Sequence, residues 1–122
     1  MDDIHLDPNV LSALREVMED EFSTLIDTFL ADSEERLRQL TMIVDVTQIV
    51  EAAHSFKGSS SNMGATRLAG LCHDLEQRAK AQNPSDLGAQ IAEVAREFAL
   101  VRPLYEEARQ RSLLAIATAR PH

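Results

Sequence analysis

One histidine in this 122-residue chain stands where its ring could do chemistry. His54 lies in the run Ala52-Ala53-His54-Ser55-Phe56-Lys57-Gly58-Ser59-Ser60-Ser61-Asn62-Met63-Gly64. In a helix that turns about 100° per residue, positions three, four and seven apart share a face. Lys57, Gly58 and Ser61 therefore stand beside His54, while Ile49, Ala53, Phe56 and Ser60 form a separate narrow stripe suited to a core. The imidazole falls at the border of that stripe, flanked by one cation and by small residues, with room for another surface to approach. A histidine ring with an ordinary pKa of about 6.5 is mostly neutral at pH 7, so a solvent-reachable nitrogen can act as a nucleophile.

Other chemistries fit these residues less well. A lone histidine at a core border more often only satisfies its hydrogen bonds, but Lys57 and Gly58 beside it speak against that. A mid-helix glycine costs about 1 kcal/mol against alanine and needs a functional or packing reason. Glu51-Ala52-Ala53-His54 also spells Glu-x-x-His, the metal-binding element of di-iron helical bundles. Such sites need a second motif, yet the other internal histidine, His73, has Gly70 three residues before it, and Glu51 falls on the solvent side. Ser59-Ser60-Ser61 has no Gly-x-Ser-x-Gly elbow and no preceding strand, so close packing is its simpler use. His73, beside Asp74, reads as a surface residue, and His5 and His122 as uninformative terminal ones. No glycine-rich nucleotide loop or kinase box is present.

The elements that position His54 are helices. Asp7-Pro8 starts a short one, with Asp as cap and Pro at the first helical position, and Val10, Leu11, Leu14 and Met18 as its apolar face. Glu19-Asp20-Glu21 is expected to open the next, where negative charge suits the dipole. Phe22, Leu25, Ile26, Phe29, Leu30, Ser33, Leu37 and Leu40 hold one stripe, opposite a solvated face with Asp27, Asp32, Glu34 and Glu35. Thr41-Met42-Ile43-Val44 reads as helix end and connector. Asp45 with Gln48 resembles a capping box and starts the His54 helix, which Gly64 ends in a left-handed conformation. A further helix over 66–80 turns Leu68, Leu71, Cys72, Leu75 and Ala79 inward, and Asn83-Pro84-Ser85-Asp86 is a loop. The last helix carries Leu87, Ile91, Val94, Ala95, Phe98, Tyr105, Leu113 and Ile116 on one stripe, with a kink rather than a stop expected at Pro103.

Four long helices with short connectors predict an all-α, antiparallel up-down-up-down four-helix bundle, with the first short helix as a cap. One domain over 7–118 is expected, with tails at 1–6 and 119–122. Hydrophobic residues at 44% and charged residues at 26% suffice for a packed core. The net charge of −8 disfavours nucleic acid and anionic membrane as partners. Cys72 is the single cysteine, which excludes an internal disulfide, and its leucine neighbours suit a small buried hydrophobe. No signal peptide and no apolar run long enough to span a bilayer is legible, so a cytoplasmic location is expected. The native-looking Met1 suggests a free-standing module, although a domain cut from a larger kinase could begin the same way, and a monomer is expected.

Ala53-His54-Ser55-Phe56-Lys57-Gly58-Ser59, followed by Met63-Gly64-Ala65, Leu68, Leu71-Cys72 and Leu75-Glu76, closely resembles the histidine-containing phosphotransfer (HPt) family. The resemblance covers the helix with His54 and its successor. It implies that His54 accepts a phosphoryl group from the receiver aspartate of a hybrid sensor kinase and passes it to that of a response regulator. Phosphoryl oxygens need cationic support and alignment, which Lys57 would supply, worth about 1 kcal/mol at a partly exposed position. Val50, Gly58 and Ser61 are the expected docking contacts. The carrier would need no cofactor of its own, Mg²⁺ being held by the receiver, and would have no ATP-dependent kinase activity. The alternative is a helical adaptor that binds receivers without carrying phosphate, and a pure adaptor has no need of the His54 nucleophile.

Overall fold

The computed structural model describes residues 5–42, 45–81 and 87–119. Ile43-Val44, the expected loop Asn83-Pro84-Ser85-Asp86, Met1–Ile4 and the end of the chain at His122 lie outside the described residues.

Helix α1 spans Pro8–Met18, and the Asp7 carboxylate accepts the Asn9 N–H at 2.9 Å as its cap. Glu19-Asp20-Glu21 do not open the second helix as expected but form one 3₁₀ turn ahead of it. The cause is Glu19, whose φ of 48° breaks the α-helical register while its N–H still closes on Arg15 O. Helix α2 then runs Phe22–Met42, α3 Val46–Asn62, α4 Thr66–Lys80 and α5 Leu87–Ala119. The Asp45 carboxylate caps α3 through the Thr47 N–H at 2.9 Å.

The four long helices pack in a ring, α2 against α3 and α5, and α4 against α3 and α5. Helices α2 and α5 are antiparallel, because Arg102 pairs with Glu34 and Arg109 with Asp27, each at 2.7 Å. Two turns forward along α5 thus match two turns back along α2. Part of the acidic face of α2 therefore meets arginines of α5 rather than water alone. Between α3 and α4 only Met63-Gly64-Ala65 intervene, which leaves room for nothing but a reversal.

Gly64 makes that reversal possible. Its φ of 77° is the left-handed C-terminal conformation that glycine adopts without strain. A Cβ there would also stand 3.0 Å from the Val10 side chain, because the start of α1 closes over the turn. Asp7 N–H donates to Gly64 O at 2.8 Å, so α1 caps this end of the bundle.

The core is built from the expected stripes: Phe22, Ile26, Phe29, Leu30 and Leu40; Ile49, Ala53 and Phe56; Leu68, Cys72, Leu75 and Ala79; Leu87, Val94 and Phe98. Burial pushes the Cys72 thiol up to about 12, which fits an inert core group. Helix α5 continues through Pro103, and beyond it Tyr105 is buried, stacked edge-on against Phe29 at 5.1 Å. Its hydroxyl donates to Met63 O at 2.6 Å, pinning α5 to the α3–α4 turn. Leu113, expected inward, is exposed; Ser112 takes the buried place instead, and Val101 joins the core. Counting back from Ser112 by four and three residues reaches Ala108 and Tyr105, so Leu113 lies about 100° off that line.

Candidate functional site

Helix α3 buries Ile49, Ala53, Phe56 and Ser60 and nothing else, which fixes its rotation. His54, one residue on from Ala53, is thereby turned to the surface beside α4, with its side chain 68% exposed. Across the α3–α4 seam stands Glu76, whose side chain is only 3% exposed. Its Oε2 lies 2.9 Å from His54 Nδ1, and its Oε1 accepts from Lys57 Nζ at 2.8 Å. Lys80 Nζ, one turn further along α4, approaches Oε2 at 3.4 Å.

One buried carboxylate thus gathers an imidazole and two ammonium groups. Lys57 above all, with His54 and Lys80, holds the Glu76 carboxyl down to about 2 against its burial, which acts the other way. An ionised carboxylate can only accept, so His54 Nδ1 must carry the proton it donates. With that proton on Nδ1, a neutral ring has its lone pair on Nε2, the nitrogen that does not face Glu76.

The surroundings of that ring are open on one side. Gly58 is exposed, and a Cβ built on it would meet nothing within 4 Å. Ser61 is likewise exposed, while Lys57 is half-buried along its stem. Val50 is only half-exposed, because it packs against the core cluster. On the flank toward α2, Arg36 donates to Ser55 Oγ at 2.9 Å. Glu51 and His73 are exposed, and among the described residues no three His, Cys, Asp or Glu side chains are placed to hold a metal ion.

Glu76 is the site residue that sequence reasoning missed. Charged residues are seldom fully buried unless paired, so a glutamate in a polar helix reads as surface. The available signal was its position, directly after Leu75 and three before Ala79 on the inward stripe of α4, with Lys80 at i+4. His5 was likewise misjudged as uninformative. Its Nδ1 lies 2.6 Å from Oε2 of Glu97, a second buried glutamate, whose Oε1 is 3.3 Å from Arg67 Nε.

A four-helix bundle with an exposed histidine on the middle of one helix is compatible with phosphotransfer, and similarity to known proteins decides the class. The Hpt domain model matches residues 24–111, and the chain belongs to the Hpt family, with a phosphotransfer role in phosphorelays. Among solved structures it is similar to histidine-containing phosphotransfer protein B from Pseudomonas aeruginosa, with 50% identity and a TM-score of 0.87 over 90% of this chain and 98% of that one. A histidine-containing phosphotransfer protein from maize shares the fold at 22% identity and a TM-score of 0.78, over 92% of this chain and 88% of its own. No curated protein matches the chain. Among the described residues, no helix is long and apolar enough to cross a membrane.

Proposed function

We propose that His54 Nε2 is the phosphoryl acceptor of a phosphorelay carrier that shuttles between receiver domains of hybrid sensor kinases and response regulators. The single observation that carries this reading is the hydrogen bond from His54 Nδ1 to buried Glu76, on a ring otherwise open to solvent. The Nε2 lone pair forms the N–P bond as the P–O bond of the donor's aspartyl phosphate breaks, and the aspartate leaves as a carboxylate. The ring keeps its Nδ1 proton, held by Glu76, so the phosphorylated ring is cationic. Passage to an acceptor aspartate reverses these steps and releases neutral imidazole, a good leaving group.

Lys57 supports the charge of the phosphoryl oxygens, and the bare surface at Gly58 admits the receiver's active site. Ser61 and the exposed part of Val50 extend that docking face. Mg²⁺ belongs to the receiver, and the carrier works in the cytoplasm as a monomer without ATP-dependent kinase activity. A receiver domain charged with labelled phosphate from acetyl phosphate tests this reading. Label should pass to the chain in a form lost in acid and stable in base, as a phosphoramidate is. An acid-stable label, on Ser55 or on Ser59 to Ser61, would refute it.

A further inference from the structure

Lys57 has two claims on it that conflict. In the resting structure its ammonium group is bound to Glu76 Oε1 at 2.8 Å. During transfer it is wanted at the phosphoryl group, which forms on Nε2, the ring nitrogen that does not face Glu76. Leaving the carboxylate takes the closest cation from Oε1 of a buried anion, which is unfavourable, while the ring that turns cationic on transfer stays on Oε2. A further cation would keep the carboxylate balanced while Lys57 is away and before that charge has formed.

Lys80 is placed to do so. Its Nζ stands 3.4 Å from Oε2, slightly long for a hydrogen bond, and its side chain is 53% exposed, with freedom to close that gap. It reaches Glu76 from the far side of the seam, along α4 itself, whereas Lys57 and His54 reach it from α3. We propose that Lys80 is a positioning residue for phosphoryl transfer, which takes over the charge of Glu76 and so releases Lys57 to the phosphoryl oxygens. It touches neither the ring nor the phosphoryl group and acts only through Glu76, which stays on Nδ1 throughout. This rests on the phosphotransfer reading of His54 and Lys57.

The test is a double-mutant cycle on the full chain, read as single-turnover transfer from a receiver domain charged by acetyl phosphate. Lys80→Met keeps the apolar stem and removes the charge. It is expected to slow transfer about tenfold, the scale of coupling within one ion-pair network, at an unchanged half-saturating receiver concentration. Lys80→Arg should restore the rate. In a Glu76→Gln background, where no buried charge remains to be balanced, Lys80→Met should change nothing. The same slowing in both backgrounds would overturn the proposal, since Lys80 would then act on the phosphoryl group or the receiver directly. So would no slowing at all, or a shift in half-saturation alone. His54→Gln run alongside separates the two levels: label uptake by that variant would refute the underlying reading, whatever Lys80 does.

Discussion

Among the described residues two glutamates are buried, each with a histidine Nδ1 and a basic side chain on its carboxylate, and only one of them stands at the candidate site. Glu76 faces His54 and the two lysines; Glu97 faces His5 and Arg67. The carboxylate–imidazole contact is even shorter in the second pair, 2.6 Å against 2.9 Å. What differs is everything around the ring. His54 is 68% exposed beside an empty glycine surface, whereas His5 is 29% exposed in a groove formed by Leu6, Pro8, Leu11 and Leu104. On the proposed reading, orientation by a buried acid does not by itself make a histidine a phosphoryl acceptor; access for a partner is needed as well, and His5 instead fastens the chain ahead of α1 to α5.

The two pairs can be set against each other directly. His54→Gln should abolish label uptake from a charged receiver and keep the fold, while His5→Gln should transfer at the parent rate. Equal loss in both variants would erase the distinction. Next in size is Gly58→Gln, which puts a side chain where the receiver must enter. A misplacement of about 1 Å at a reacting centre can cost a hundredfold in rate, and a loss of that order is expected in stopped-flow transfer. Its thermal midpoint should be no lower than the parent's, because nothing within 4 Å opposes a Cβ and leaving glycine favours the helix. An unfolded variant would mean that Gly58 packs against a neighbour.

Smaller effects follow at the cations and the acids. Lys57→Ala should slow transfer about fivefold, consistent with about 1 kcal/mol of charge support at a partly exposed site, with receiver binding by calorimetry unchanged. His5→Gln, silent in transfer, should lower stability in urea by about 1 kcal/mol through the lost hydrogen bond to Glu97. The remaining effect is a pH dependence of stability. The Glu76 carboxyl is lowered from 4.5 to about 2 in the folded chain, so its contribution is complete above 4.5 and fades as pH falls through about 2. Urea midpoints of the parent and of Glu76→Gln should therefore converge over that window. A constant gap would mean that the pair contributes no linked stability.

Most of the fold was legible because its signals are local. Caps at Asp7 and Asp45, the left-handed glycine at Gly64 and the 3.6-residue stripes each depend on neighbours within a turn or two, and α4 begins and ends where they predict. His54, Lys57 and Gly58 were legible for the same reason, sharing one helix face. Glu76 was not, because its partner lies 22 residues away and its burial is set by how α3 settles on α4. His5 and Glu97, 92 residues apart, are the extreme case. Leu113 failed differently: the stripe was extended past Pro103 by residue type, and apolar character outweighed the phase that buries Ser112.

If Glu76 holds the proton on His54 Nδ1, Nε2 is left to take the phosphoryl group. Long-range ¹H–¹⁵N correlation spectra of the phosphorylated full chain can distinguish the two nitrogens. Phosphorus coupling is expected on Nε2 of His54, with the proton retained on Nδ1. Phosphorus on Nδ1, or on the ring of His5, would contradict this reading.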